Sequence, residues 1–261
     1  MRTLSNNQPK GLSRHSIRLW GTLFLIAGAV GHAIIMNGLL GMAGMSSEEF
    51  GAMLGSDSQN LTLGVAAFVL QLLSACAIPI FTFLLVDGFQ RTSSVKNYVL
   101  RIAGVALLSE IPYNLAVSGV WFDLNTRNPM VAMTLAAAML FFYQHYSGKA
   151  VKNVLIRAMV LVLGVVWVAM LRIDHGVAIV GMTTTLWALR KNHSLQVFLG
   201  CAMMFVLSAF PSFSPTYWLA PIVFLTVHFY NEEQGDENRL VNYLSYPVIL
   251  LVCGLISKYA M

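Results

Sequence analysis

The sequence predicts an all-α, polytopic membrane helix bundle: a single transmembrane domain, residues 1–261, with about nine spanning helices and a cytoplasmic N-terminus. Three observations carry that prediction. Hydrophobic residues make up 57% of the chain and charged residues 10%, with a mean hydropathy of +0.69, whereas soluble domains are nearer a quarter charged. Apolar runs of about twenty residues, the length of a membrane-crossing helix, recur from end to end and lack the strict alternation of barrel strands. Finally, the basic residues fall on one side of the topology that these runs define.

The elements follow in order. Residues 1–16, MRTLSNNQPKGLSRHS, are polar and basic and read as a cytoplasmic tail. The next run, 17–39, is long and lacks a small-residue cleavage site, which favours a first anchor helix over a cleaved signal peptide. MSSEEFGAMLGSDSQNL (45–61) reads as a short amphipathic helix and a turn on the outer side. Further spans are expected at 62–86, 97–118, 128–146, 154–171, 175–190, 194–210, 215–230 and 240–259, the sixth to eighth short enough to be tilted pairs or re-entrant segments. With the N-terminus inside, only Arg127, Arg172 and Lys258 of the 16 basic residues lie outside, the bias that sets orientation in membrane proteins. Topology thus accounts for the net charge of +5 and leaves no argument for a nucleic-acid partner. Cys76, Cys201 and Cys253 sit in apolar runs without CxxC or Cys/His spacing, so they read as packing residues and no metal site is expected.

Against this background the intramembrane polar residues stand out. In YVLRIAGVALLSEIPYNLAV (98–117) an acid costs about 3 kcal/mol at the centre of a bilayer. Glu110, Tyr113 and Asn114 share one helical face by their spacing, and Pro112 between them removes a backbone donor. Arg101, nine residues before Glu110, falls on the opposite face and can snorkel to the inner surface. Glu110 has no such escape. It either accepts hydrogen bonds from another helix or lines a polar cavity. His32, with Gly28 a turn before it and Gly31 beside it, either bonds across helices or serves as a base near neutral pH. Outer helix ends add WFDLNTRNP, with Asn125 and Asn128, and RIDHG, with Asp174 and His175. Asp174 alone reads equally as a helix cap. Together these groups would surround one outward-facing cavity. At the inner side, Asp87 and Arg91 at i, i+4, with Lys96, Arg101, Lys149, Lys152, Arg190 and Lys191, form a cationic rim. The positive-inside bias alone explains such a rim; phosphate binding is the sharper alternative.

The segment PIFTFLLVDGFQRTSSVKNYVLRIAGVALLSEIPYNLAVSGVWF resembles the hallmark of the TraX family. The matching positions are Pro79, Phe81, Phe83, Asp87, Gly88, Phe89, Thr92, Tyr98, Arg101, Ile111, Pro112 and Tyr113, and later Asp174-His175-Gly176 through Arg190 and Tyr246-Pro247. Where the family's first helix usually carries Asp-His, this chain has Gly31-His32. The resemblance implies a transmembrane acetyltransferase of the bacterial inner membrane that uses acetyl-CoA and caps the N-terminus of a conjugative pilin.

On that basis cytoplasmic acetyl-CoA is the expected acyl donor, and an extracytoplasmic amine or hydroxyl, pilin-like in the family, the acceptor. His32 is the expected general base, Glu110 orients its ring or the acceptor, and Asp174 completes the catalytic set. Arg91, Lys96, Arg101, Lys149 and Arg190 are the expected CoA contacts. Tyr113, Asn114, Asn125, Asn128 and His175 are the expected acceptor contacts. The alternative is a non-enzymatic protein: a small transporter using Glu110, or a degenerate relative that partners another protein. Paired repeats with broken helices would favour the transporter, and no convincing repeat is visible.

Overall fold

A computed structural model describes residues 11–209, 215–235 and 238–260. The first ten residues of the expected cytoplasmic tail lie outside the described residues. Every regular element among the described residues is a helix. Five helical stretches are long and apolar enough to cross a membrane: Arg14–Leu39, Ser58–Arg91, Val95–Ser118, Val151–Met170 and Leu240–Tyr259. In Val151–Met170 only 11% of the most apolar window is buried within the protein. A helix this apolar, with most of its surface outside the protein's own packing, is stable only with lipid as its solvent. The chain is a membrane protein.

The first expected span is α1 (Arg14–Ala29), capped by the Ser13 side chain, and it continues without interruption as a π-helix over Val30–Leu39. Its glycines allow close approach: a Cβ on Gly31 would lie 2.9 Å from Leu70 Cβ and 3.1 Å from the Ala67 carbonyl. The outer segment forms α2 (Ser47–Ser56), as its SxxE capping box dictates: Ser46 and Glu49 satisfy each other's backbone amides.

The run expected as one helix over 62–86 extends over 58–91 and breaks at Ala75–Cys76 into α3 (Ser58–Ser74) and α4 (Ala77–Arg91). Pro79 explains the break. It lacks the N–H that would carry a continuous helix through this turn, but it is tolerated in the first turn of a new one. α5 (Val95–Ser118) carries Pro112 inside it and ends on left-handed Gly119. α6 (Pro129–His145), α7 (Val151–Met170), α8 (Gly176–Ala188) and α9 (His193–Ala209) follow. A 3₁₀ segment, Pro215–Val223, leads into α10 (Phe224–His228), and α11 (Arg239–Tyr259) closes the chain. The helices at 176–188, 193–209 and 217–228 are short.

The main core joins α4, α6 and α8 through Ile80, Phe83, Leu84, Ala136, Leu140, Ile179 and Leu186. A smaller cluster of Ala29, Ala33, Tyr113, Ala116 and Leu250 joins α1, its π-helical extension, α5 and α11. The cavity described below lies between the two. At one end of the bundle Leu12 pairs with Phe229 and Asn231, and Arg14 with Asp87. This is the basic end, shared by Arg91 and Arg101. The opposite end joins Arg127 to Glu110 and the Lys258 ammonium to the Gly119 carbonyl.

Candidate active site

One cavity of about 540 Å³ runs between α1, α4, α5 and α11. At the basic end its wall carries Arg14, Arg18, Arg91 and Arg101. Asp87, 8% exposed, organises two of them: Arg91 Nε donates to both its oxygens at 3.0 and 3.1 Å, and Arg14 Nε lies 3.5 Å away. Arg91 also donates to the Tyr230 hydroxyl at 3.2 Å. Asp87 pairs with two of these guanidinium groups and Glu232 acts on Arg91 as well, so the mouth is a mixed ionic cluster in which arginines predominate among the charged lining residues. Gly88 makes room for it, because a Cβ there would lie 2.8 Å from both Arg14 Nη2 and Tyr98 Oη. Tyr98 in turn donates to the Leu85 carbonyl at 2.8 Å.

Beyond the mouth the wall is mostly apolar, with Phe81, Leu84, Ile102, Val105 and Met133, and Gln71, Ser74 and Ser245 share the lining. From Arg101 to Tyr113 along α5 is about 18 Å at 1.5 Å per residue. There the cavity reaches His32, Tyr113, Asp174, His175 and Tyr246.

His32 is held by the end of another helix. The last carbonyls of α5 have no partner within it. That of Val117 accepts from His32 Nε2 at 3.0 Å and from Asn37 Nδ2 at 3.0 Å, while that of Ala116 accepts from Asn37 at 3.1 Å. A carbonyl only accepts, so His32 carries its proton on Nε2 and its Nδ1 is left as the basic nitrogen. Both donors sit on the π-helix, whose widened turn is a frequent device at functional sites.

Asp174 comes from the turn before α8. Its backbone N–H donates to the Arg127 carbonyl at 2.9 Å, and the Arg127 N–H donates to the Arg172 carbonyl at 3.1 Å. Arg172 and His175 are left-handed, with φ of 51° and 54°, a region non-glycine residues rarely occupy. This turn does not use Asp174 as a helix cap. It leaves the carboxylate 42% exposed to the cavity. Tyr113 Oη donates to Asp174 Oδ2 at 3.1 Å, His175 Nε2 stands 3.5 Å from the same oxygen, and His175 Nδ1 bonds the Tyr217 hydroxyl. Asp174 also acts electrostatically on the His32 ring, and Asp174 and Glu110 both act on Tyr246. A base with a fixed tautomer and a carboxylate–imidazole pair therefore share one chamber, and that set can orient an acceptor and move its protons.

The expected site thus divides. His32, Asp174, Tyr113 and His175 line the cavity, as do Arg91 and Arg101. Glu110 does not. It pairs with Arg127 Nη1 at 3.3 Å rather than with the expected His32, and Asp174 is the acid that lines the cavity with His32. Asn128 is also outside, because its polar atoms are consumed in packing: it donates to the Ala106 carbonyl at 2.9 Å and to Ser109 Oγ at 3.0 Å, and caps α6 through Met130 N. Asn114 is buried off the cavity, and Asn125 is exposed in the outer loop. Lys96 and Lys149 stand exposed away from the lining, while Arg190 lies over the Trp187 ring at 3.9 Å. Reading the sequence missed Arg14 and Arg18, whose i, i+4 spacing at the head of the first helix was visible, and Tyr217, for which no signal existed.

A family model described as "TraX protein" matches residues 42–257, a span that includes Asp174, His175, Arg91 and Arg101 and begins after His32. Nothing matches among curated proteins or solved structures.

Proposed function

The chain belongs to the TraX family of conjugation-associated membrane proteins, and from that premise we propose that it is a membrane-bound acyltransferase of the bacterial inner membrane. It takes acetyl from cytoplasmic acetyl-CoA and delivers it to an amine presented from the outer side, such as the N-terminus of a pilin-like peptide.

The observation that carries this reading is the continuity of the cavity from a four-arginine mouth to His32 and Asp174. Arginine forks suit phosphate groups, an apolar corridor suits an extended thioester arm, and a histidine with an open Nδ1 suits proton removal from an attacking nitrogen. The orientation follows from charge. The basic end faces the cytoplasm by the positive-inside bias, which puts the mouth where CoA is made.

In this scheme the guanidinium groups bind the nucleotide phosphates and the corridor excludes water from the thioester. His32 Nδ1 takes a proton as the acceptor attacks, and the Tyr113 and Tyr246 hydroxyls, which donate to Asp174 and to Asn128 Oδ1, line the same chamber.

The test is calorimetric titration of CoA into the detergent-purified protein, followed by transfer of labelled acetyl to a pilin-like peptide by wild type and His32→Ala. CoA binding with transfer lost in the variant supports the reading. A protein that does not bind CoA, or a His32→Ala variant with full activity, would overturn it. Cysteine labelling from outside at positions 57 and 125, but not at 94 or 150, checks the orientation.

A further inference from the structure

An amine acceptor arrives protonated and must lose two protons, and the chamber contains two histidines in different settings. His32 is tied by Nε2 to Val117, leaving Nδ1 open. His175 is tied by Nδ1 to the Tyr217 hydroxyl, and its Nε2 lies 3.5 Å from Asp174 Oδ2. The two rings therefore offer opposite nitrogens from opposite walls, one on the π-helix and one on the turn before α8.

We propose that the two histidines divide the proton transfers, with the Asp174–His175 pair deprotonating the incoming ammonium and His32 serving the bond-forming step. This rests on the acyltransferase reading above. Asp174 holds the ammonium by charge; in this proposal His175 is the tautomer with its proton on Nδ1, facing the Tyr217 oxygen, so that the Nε2 lone pair takes the first proton. The imidazolium formed there stands against the Asp174 carboxylate. The neutral amine then attacks the thioester carbon, and His32 Nδ1 takes the second nitrogen proton as the C–N bond forms. As the C–S bond breaks, sulfur leaves with its electron pair and receives that proton from His32. The balance is R–NH₃⁺ plus CH₃CO–SCoA giving R–NH–COCH₃, HS–CoA and H⁺. The released proton departs from His175 at the far end of the bundle.

The groups facing His175 are Asp174 on its own turn, Tyr217 on the 3₁₀ segment, Tyr113 on α5, Tyr246 on α11 and His32 across the chamber. The cations nearest this turn are Arg127, whose backbone bonds Asp174 and whose side chain pairs with Glu110, and Arg172, which is exposed.

The division of labour makes the two histidines separable by the basicity of the acceptor. Glycinamide, with an α-amino pKa of about 8, is mostly ammonium at pH 7, whereas methoxyamine is already neutral. The variants are His175→Asn, which tolerates the left-handed backbone, Tyr217→Phe and His32→Ala, each checked for retained CoA affinity. We expect His175→Asn to lose tenfold or more with glycinamide at pH 7 and to stay within about twofold of wild type with methoxyamine. Its loss with glycinamide should recover as pH rises through the acceptor's own pKa. Tyr217→Phe should show the same pattern more weakly, and His32→Ala should lose both acceptors.

Equal loss or equal retention of the two acceptors in His175→Asn would overturn the proposal. So would wild-type transfer to an alcohol probe with none to either amine, a result that leaves the acyltransferase reading standing. Failure of wild type to bind CoA or transfer acetyl at all overturns both.

Discussion

Arg127 Nη1 stands 3.3 Å from Glu110 Oε1, and the backbone of the same arginine accepts from Asp174 N–H at 2.9 Å. Glu110 therefore lies one residue removed from the chamber it does not line. It fixes the side chain of the residue whose main chain sets Asp174. This is what brings an acid into the greasy helix α5.

Arg127→Ala leaves a largely buried carboxylate without its cation and should destabilise the protein by about 2 kcal/mol, a partly buried pair costing less than a fully buried one. Activity should fall further than stability, because the Asp174 turn loosens. The charge swap Glu110→Arg with Arg127→Glu should restore part of the activity. Thermal melts and transfer assays on the three variants check this, and a swap no better than either single change would break the link.

Asn37 shares the Val117 carbonyl with His32, so it braces the π-helix that aims the ring. Asn37→Ala should lower the maximal rate several-fold and leave CoA affinity unchanged. A raised KM for the donor with unchanged maximal rate would contradict that role.

The mouth makes a sharper division than the overall cationic rim does. Arg91→Gln and Arg101→Gln should each weaken CoA binding by about tenfold, close to 1.4 kcal/mol, and reduce its dependence on salt. Lys149→Gln and Arg190→Gln should leave binding within twofold, because neither lines the cavity. Calorimetry at two salt concentrations separates the two groups of residues.

Asn128 is completely buried and links α5 to the cap of α6. Asn128→Ala should cost about 2–3 kcal/mol from the lost cap and the unpaired groups left behind. The same variant should retain donor affinity, as read from CoA titration of the folded fraction.

Asp123, in the outer loop, accepts from Ser118 Oγ and from the Asn125 backbone at 2.8 Å, and these bonds hold its carboxyl below the ordinary carboxylate range. Because the folded pKa is the lower one, the contribution is present above the unfolded value of about 3.9 and fades as pH falls through the folded value. Acidification below about pH 4 should therefore loosen residues 118–125, seen as a change in Trp121 fluorescence. Ser118→Ala should move that change to higher pH.

The membrane class and the helical content were legible because they depend on composition and run length, which are local. The capping box at Ser46–Glu49 is legible for the same reason, whereas the break before Pro79 fell inside a run expected as one helix over 62–86. The candidate site was legible in its ends and not in its pairings. His32, Asp174 and Arg101 announce themselves as polar groups where polarity is costly. Nothing local reveals that Glu110 would find Arg127, seventeen residues on, through the return of the outer loop. Asn128 looked like a ligand because sequence shows a polar side chain but not the carbonyls that consume it. Tyr217 became a partner of His175 only through tertiary packing 42 residues away.

The apolar corridor between the arginine mouth and His32 has an electrical meaning as well as a chemical one. A water-filled passage of that length would let protons run down the membrane potential, worth about 2.3 kcal/mol per charge at 100 mV. Phe81, Leu84, Ile102, Val105 and Met133 offer a proton wire no hydrogen bonds, which leaves Gln71, Ser74 and Ser245 as the polar groups it would have to use. On the acyltransferase reading the donor's arm would thread the same stretch and plug it. On that reading such a passage would reach across an energised membrane without short-circuiting it, and a polar substitution at Val105 or Met133 should show as proton leakage.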